Sequence, residues 1–254
     1  MNRLKAALAR HQLQVGLWQT LANPYTAEIC ASTGFDWLLF DGEHSPNTIQ
    51  TMLSQLQAVS GYPVDAMARP PVGDPRLIKQ YLDIGFRSLL IPMVGSAAEA
   101  RLLVSATRFP TEGIRGVASL TRAAGFGTRA DYFAEAHDDI CLVLQIESKP
   151  GLEAIADIAS VEGVDALFIG PGDLAGALGH LGNPSHPKVQ SAISNAIETV
   201  RKTGKAAGIF ATSIEAAKRY ADAGASLISV GTDIGLLVSG ARSLVDALKG
   251  SSPS

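Results

Sequence analysis

Cysteine is nearly missing from this 254-residue chain. Cys30 falls in a helical pattern and Cys141 opens a strand, far apart, so neither a disulfide framework nor a zinc knuckle is expected. That usage fits a reducing, cytoplasmic setting. An excess of charge of one sign is also lacking. The 21 Lys and Arg stand against 24 Asp and Glu, with the signs interspersed. There is thus no basic stripe for nucleic acid and no polybasic patch for a membrane surface. No apolar run approaches membrane-spanning length, and the opening MNRLKAALARHQLQVG is amphipathic and lacks the apolar core of a signal segment. GxGxxG and P-loop patterns do not occur, which disfavours dinucleotide and nucleotide chemistry. No predicted strand carries an internal lysine, so a Schiff-base mechanism has no good candidate; Lys149 comes after a strand and precedes Pro150.

Apolar material, by contrast, is plentiful. Hydrophobic residues make up 46% of the chain and charged residues 18%, enough for one large core over residues 1–254. Eight short apolar runs read as strands, at 15–20, 37–42, 65–70, 88–94, 141–147, 166–170, 206–211 and 227–231. Helical patterns lie between them, several ending on glycine (Gly85, Gly163, Gly224). Near-continuous apolar strands alternating with helices predict a parallel sheet covered on its outside. Eight such units in one domain predict an α/β fold of the TIM-barrel type, (β/α)8. Residues 110–140 are rich in Gly, Arg and Thr and are expected to form a long loop at the active-site end, with GVASL outside the strand count. The tail after Gly231 reads as a last helix followed by a frayed SSPS.

In such barrels chemistry sits at the C-terminal ends of the strands. The strand ends and the residues just past them bring to one mouth Trp18, the Asp41-Gly42-Glu43-His44 turn, Arg69, Gln145, Glu147, Asp173 and Phe210. Glu147 and Asp173 stand at the ends of sequential strands, so their carboxylates should be neighbours. Two desolvated acids at close range call for a cation between them, and hard oxygens suit Mg²⁺ or Mn²⁺. The plainer alternative pairs Glu147 with Lys149 and makes Asp173 a helix cap. Arg69, closing a strand before Pro70-Pro71, is held rigidly where its fork suits a carboxylate or enolate oxygen. His44 is either a proton carrier or a loop histidine exposed to water. Arg122 would bind an acidic aldehyde if its loop folds over the mouth, and is otherwise a solvated arginine. Trp18 and Phe210 either shape an acceptor pocket or serve barrel packing.

The segments GLWQTLANPYTAEICASTGFDWLLFDGEHSPNTIQ, ARPPVGDPRLIKQYLDIGFRSLLIPMV, FPTEGIRGVAS and LQIESKPGLEAIADIASVEGVDALFIGPGDL occur in the order found in a known family. In them the chain resembles the metal-dependent class II aldolases of the HpcH/HpaI family, over nearly its whole length. The resemblance implies a lyase that cleaves 4-hydroxy-2-oxo acids into pyruvate or hydroxypyruvate and an aldehyde. It implies a divalent metal ion (Mg²⁺, Mn²⁺ or Co²⁺) on Glu147 and Asp173, His44 as catalytic base and Arg69 at the transition state. It further implies that Gln145 and the Gly172 amide contact the keto acid. Asp83 in YLDIG would make the histidine more basic. Asp83 closes a predicted helix, however, which places it at the opposite end of its own barrel. The role therefore implies a neighbouring subunit, in keeping with the hexamers of the family. Two competing readings are a citrate-lyase β-like barrel enzyme, which would need basic residues for a thioester that the final strand lacks, and a catalytically silent binding subunit.

Overall fold

A computed structural model describes residues 2–250 of the chain. The SSPS tail and Met1 lie outside the described residues. Strands β1 (Gln14–Gln19), β2 (Trp37–Asp41), β3 (Asp65–Arg69), β4 (Ser88–Ile91), β5 (Cys141–Ile146), β6 (Ala166–Ile169), β7 (Ala206–Phe210) and β8 (Leu227–Thr232) close into one barrel in sequence order. All eight neighbouring pairs are parallel. The strand β4 stops short of the expected span because Pro92 has no N–H for the ladder, and Met93 turns away with φ +60°.

Period-two alternation explains why the strands read as unbroken apolar runs. One set of side chains, including Leu38, Phe40, Leu142, Leu144 and Ile146, packs outward under the helices. The alternate set, including Trp37, Leu39, Met67, Val143 and Phe168, fills the barrel interior, with Leu4 and Leu8 of the first helix joining it. Room for Trp37 depends on Gly16: a Cβ there would lie 2.1 Å from the indole ring. The same alternation makes Trp18, Asp41, Arg69 and Gln145 the last inward residues of their strands, with Glu147 the next inward position just past β5, and so sends them to the mouth.

Helices leave that mouth promptly. Asn23, Thr48, Asp74, Ser96, Ser148 and Ser213 each cap a helix N-terminus through a side-chain oxygen within a few residues of a strand end. Each such helix carries the chain back to the N-terminal end of the strands. The segment expected as a mouth loop therefore lies elsewhere. It comes after the helix Ala97–Thr107 and before β5, so residues 110–140 cover the N-terminal end of the barrel, opposite the mouth. GVASL forms no strand, and the segment contributes a small apolar cluster of Ala124, Tyr132 and Ala136. No helix among the described residues is long and apolar enough to cross a membrane.

Candidate active site

The register of β2 on β3 sets Asp41 beside Arg69. Both side chains are buried, and the guanidinium grips the carboxylate twice, Nε to Oδ1 at 2.9 Å and Nη2 to Oδ2 at 2.8 Å. A two-point pair of this kind fixes the plane of the guanidinium. Its remaining edge faces the mouth. Nη1 donates to Gln145 Oε1 at 3.3 Å and lies 2.8 Å from Glu43 Oε2, the latter a charge contact without hydrogen-bond alignment. The indole of Trp18 underlies the guanidinium at 4.2 Å, and Phe210 meets Trp18 edge-on at 5.5 Å. Asp41 is thus the residue that aims Arg69.

The turn after β2 is tied down by the same acid. Ser45 Oγ and Asn47 Nδ2 both donate to the Asp41 carbonyl, and the Glu43 amide donates to Asp41 Oδ1 at 3.0 Å. Gly42 is required there, since a Cβ would lie 2.5 Å from the Tyr81 hydroxyl and 2.7 Å from the Arg69 carbonyl. The turn holds Glu43 half-buried over Arg69 and leaves His44 exposed at the rim, its Nε2 3.7 Å from Glu43 Oε2. Burial raises the Glu43 carboxyl above its usual value, with Arg69 and His44 opposing and Asp41 and Asp173 adding to the rise. Glu43 carried no assignment from sequence; only its place in a run of four polar residues after an apolar strand marked it.

Glu147 is buried at the end of β5. Its Oε1 accepts from the Met93 amide at 3.0 Å, and its Oε2 accepts from Gln145 Nε2. The left-handed turn at Met93 aims that amide, a strained backbone at the mouth. Gln145 thereby bridges Arg69 and Glu147. Burial raises the Glu147 carboxyl to about 7; the Met93 amide and Arg69 oppose the rise, while the charges of Asp173 and Glu43 add to it. Gly170, just past β6, leaves the space for this group, because a Cβ would fall 2.2 Å from Glu147 Oε2.

Asp173 belongs to the same mouth, though not as a second desolvated acid. It sits in the first turn of the helix Pro171–Ala177, is exposed, and makes no side-chain cap. The backbone at Gly172 is open, with nothing within 4 Å of a would-be Cβ. Among the described residues no group of three or more His, Cys, Asp and Glu is arranged to hold a metal ion. A cation here would rest on two protein carboxylates and take its remaining ligands from water and substrate. The donor set suits that: hard oxygens, one of them on an acid whose burial disfavours its own charge until a cation arrives.

Two expected site residues lie at the other end of the molecule. Asp83 closes the helix Pro75–Asp83 and accepts from Arg115 Nη2 at 2.8 Å, and its carbonyl accepts from the Ala123 amide. Arg122 donates to the Ile84 carbonyl at 3.0 Å. Since the segment that carries it covers the N-terminal end of the barrel, Arg122 does not fold over its own mouth. The structure gathers His44, Arg69, Gln145, Glu147, Asp173, Trp18 and Phe210, and separates Asp83 and Arg122 from them.

Comparison with known proteins gives the family and the fold. The family model for HpcH/HpaI aldolase/citrate lyase matches residues 14–240. A hydroxypyruvate/pyruvate aldolase of Deinococcus radiodurans is 52% identical over 249 residues, 98% of this chain and 90% of that protein. A 4-hydroxy-2-oxo-heptane-1,7-dioate aldolase of Salmonella dublin is 50% identical over 96% of this chain and 93% of its own. The crystal structure of an HpcH/HpaI aldolase/citrate lyase family protein from Burkholderia cenocepacia J2315 superposes with a TM-score of 0.95 at 38% identity, covering 98% of this chain and 100% of that one. Fold and site together define a lyase of the aldolase type on a (β/α)8 barrel. The chain belongs to the HpcH/HpaI aldolase/citrate lyase family.

Proposed function

We propose that this enzyme reversibly cleaves 4-hydroxy-2-oxo acids to an aldehyde and either pyruvate or hydroxypyruvate. Glu147 and Asp173 hold a divalent ion, Mg²⁺, Mn²⁺ or Co²⁺, in this reading. The observation that carries it is the buried Glu147 joined through Gln145 to a guanidinium whose far side is locked by Asp41. When bound, the ion would serve as a Lewis acid toward the keto acid. The donors named for the relatives, hydroxypyruvate and pyruvate, give the choice of product.

The chain's own groups supply the rest. The mouth-facing edge of Arg69 places positive charge where the C2 oxygen becomes an enolate oxygen on carbon–carbon cleavage. Because Asp41 holds the guanidinium in place beforehand, little reorganisation is needed as charge develops there. Gln145 and the exposed Gly172 amide orient the keto acid. His44, exposed at the rim beside Glu43, takes the C4 hydroxyl proton in cleavage and returns it in synthesis. Trp18 and Phe210 wall the acceptor side. His44→Ala is expected to lower kcat about 10²–10⁴-fold with the metal affinity unchanged, as read by steady-state kinetics and metal titration. An undiminished kcat would remove His44 from the scheme.

In this reading Asp83 acts on His44 from a second chain. Within one barrel it stands at the end opposite His44, so a role at His44 requires a second copy. The C-terminal helix Asp233–Lys249 supports assembly: Leu236, Leu237, Leu244, Val245 and Leu248 are all exposed along it. A homo-oligomer, the hexamer of the family resemblance, would cover that face. Asp83→Asn and His44→Ala proteins should each be weak, and mixed oligomers refolded from both should recover activity, since a mouth that takes His44 from an Asp83→Asn chain and Asp83 from a His44→Ala chain has both residues intact. No recovery, with co-assembly demonstrated, would show that Asp83 serves no neighbouring mouth. The reaction itself is tested by following aldol cleavage over a panel of 4-hydroxy-2-oxo acids and identifying the 2-oxo acid released. Turnover of none of them would overturn the proposal.

A further inference from the structure

Cleavage of a 4-hydroxy-2-oxo acid moves one proton from the C4 hydroxyl to C3, the carbon that ends as the methyl or hydroxymethyl group of the released 2-oxo acid. His44 accounts for the first half of that transfer. The second half still lacks a group.

The acids of the mouth sort by what already holds them. Asp41 is buried with both carboxylate oxygens on Arg69, so neither is free to exchange a proton. Glu147 is engaged by the Met93 amide and by Gln145, and with Asp173 it is the acid that would hold the ion. Glu43 is left. Its Oε2 is sealed from solvent yet accepts no aligned hydrogen bond, and its contact with Arg69 Nη1 at 2.8 Å is one of charge alone. The same oxygen lies 3.7 Å from His44 Nε2.

One carboxyl thus stands between the guanidinium that meets the enolate oxygen and the imidazole that takes the C4 proton. C3 is bonded to the carbon bearing that oxygen, so a group resting on this edge of Arg69 lies beside C3 as well. A buried acceptor without a donor is costly, and a passing proton completes it. Burial also lifts the Glu43 carboxyl above its usual value, against the pull of Arg69 and His44. The backbone is fixed, since the Glu43 amide donates to Asp41 Oδ1 at 3.0 Å.

We propose that Glu43 is a catalytic residue: the acid that delivers the proton to C3 of the enolate, and the base that removes it in synthesis. Glu43 in this role presupposes the lyase reading of the mouth. In cleavage His44 Nε2 takes the C4 hydroxyl proton, and the O–H pair becomes the second bond of the aldehyde carbonyl. The C3–C4 pair becomes the C2–C3 double bond, and the C2 carbonyl pair moves onto its oxygen beside Arg69. His44 then passes the proton to Glu43, the exposed imidazole turning to close the gap. Glu43 hands it to C3, where the enolate pair forms the new C–H bond and the C2 carbonyl is restored. Both side chains end as they began.

Deuterium exchange at C3 of pyruvate and hydroxypyruvate, followed by proton NMR of the Mg²⁺-loaded protein in deuterium oxide, reads this step without any aldehyde. The wild type should exchange, because exposed His44 trades the proton with solvent. Glu43→Gln should exchange at least a hundredfold more slowly, as for a lost general acid–base group, with unchanged affinity for the 2-oxo acid. Glu43→Ala should be as slow and regain exchange in proportion to added formate, which a merely structural loss would not allow. In rapid-quench runs with a 4-hydroxy-2-oxo acid, Glu43→Gln should release a burst of aldehyde before stalling, and His44→Ala should show none. Exchange at the wild-type rate in the folded Glu43 variants would overturn the proposal and leave the lyase reading standing. So would lost exchange with neither burst nor formate rescue. A wild type that exchanges neither 2-oxo acid would overturn both.

Discussion

Glu147→Gln is expected to abolish aldol cleavage and also to remove a pH dependence from the stability of the metal-free protein. The carboxyl is raised to about 7 in the folded state against an ordinary value of 4.5. Between those two values the folded protein keeps a proton that the unfolded chain has lost. Stability therefore falls as pH rises through that interval, and the loss is complete above about 7. At 1.36 kcal/mol per unit the total is on the order of 3 kcal/mol. In chelator, denaturant melts of the wild type should decline across this range, and the variant should lack this share of the slope. A divalent ion should restore stability to the wild type at pH 8 and leave the variant unmoved. A wild-type profile flat between pH 4.5 and 7.5 would show that Glu147 is not desolvated.

Arg69→Ala carries the second large effect, and it strikes stability and catalysis together. Asp41 would remain buried with its two guanidinium bonds gone. Stranding one member of a buried pair costs about 3–5 kcal/mol. Turnover should fall roughly 10²–10³-fold, the range for losing one preorganised donor at a developing oxyanion. Arg69→Lys keeps a charge without the two-point grip, so it should recover part of the stability and little of the rate. In the double variant Asp41→Asn with Arg69→Ala much of the stability should return while activity stays low. Denaturant midpoints with steady-state kinetics separate the two effects. A fully active Arg69→Ala protein would contradict the assignment.

Much of the barrel was legible because each strand is buried on both faces. Outward residues such as Leu142 and Leu144 and inward residues such as Val143 are all apolar, so the strands appear as solid runs ending where the mouth begins. The polar residues at those ends were readable for the same reason. What sequence did not reveal is register. That Asp41 lies beside Arg69 across two strands depends on pairing, which no local pattern encodes. Asp173 reads in the sequence as a buried strand end, but Pro171 starts a helix immediately and lifts it into solvent. The position of segment 110–140 is readable from connectivity alone. Anything between the helix Ala97–Thr107 and β5 must lie at the N-terminal end of the strands, whatever its glycine content. Arg122 goes with that segment. Its neighbours, Ile84 and Gly85, come from a distant stretch of the chain that only the folded structure brings close.

The most direct measurement is metal stoichiometry taken together with turnover. Chelator-stripped wild-type protein is titrated with Mn²⁺ while cleavage of a 4-hydroxy-2-oxo acid is followed, alongside Glu147→Gln and Asp173→Asn. The account predicts one ion per chain in the wild type, with activity rising in proportion to occupancy, and loss of both binding and turnover in either variant. Full turnover in chelator, or an ion still bound at wild-type affinity in either variant, would contradict it.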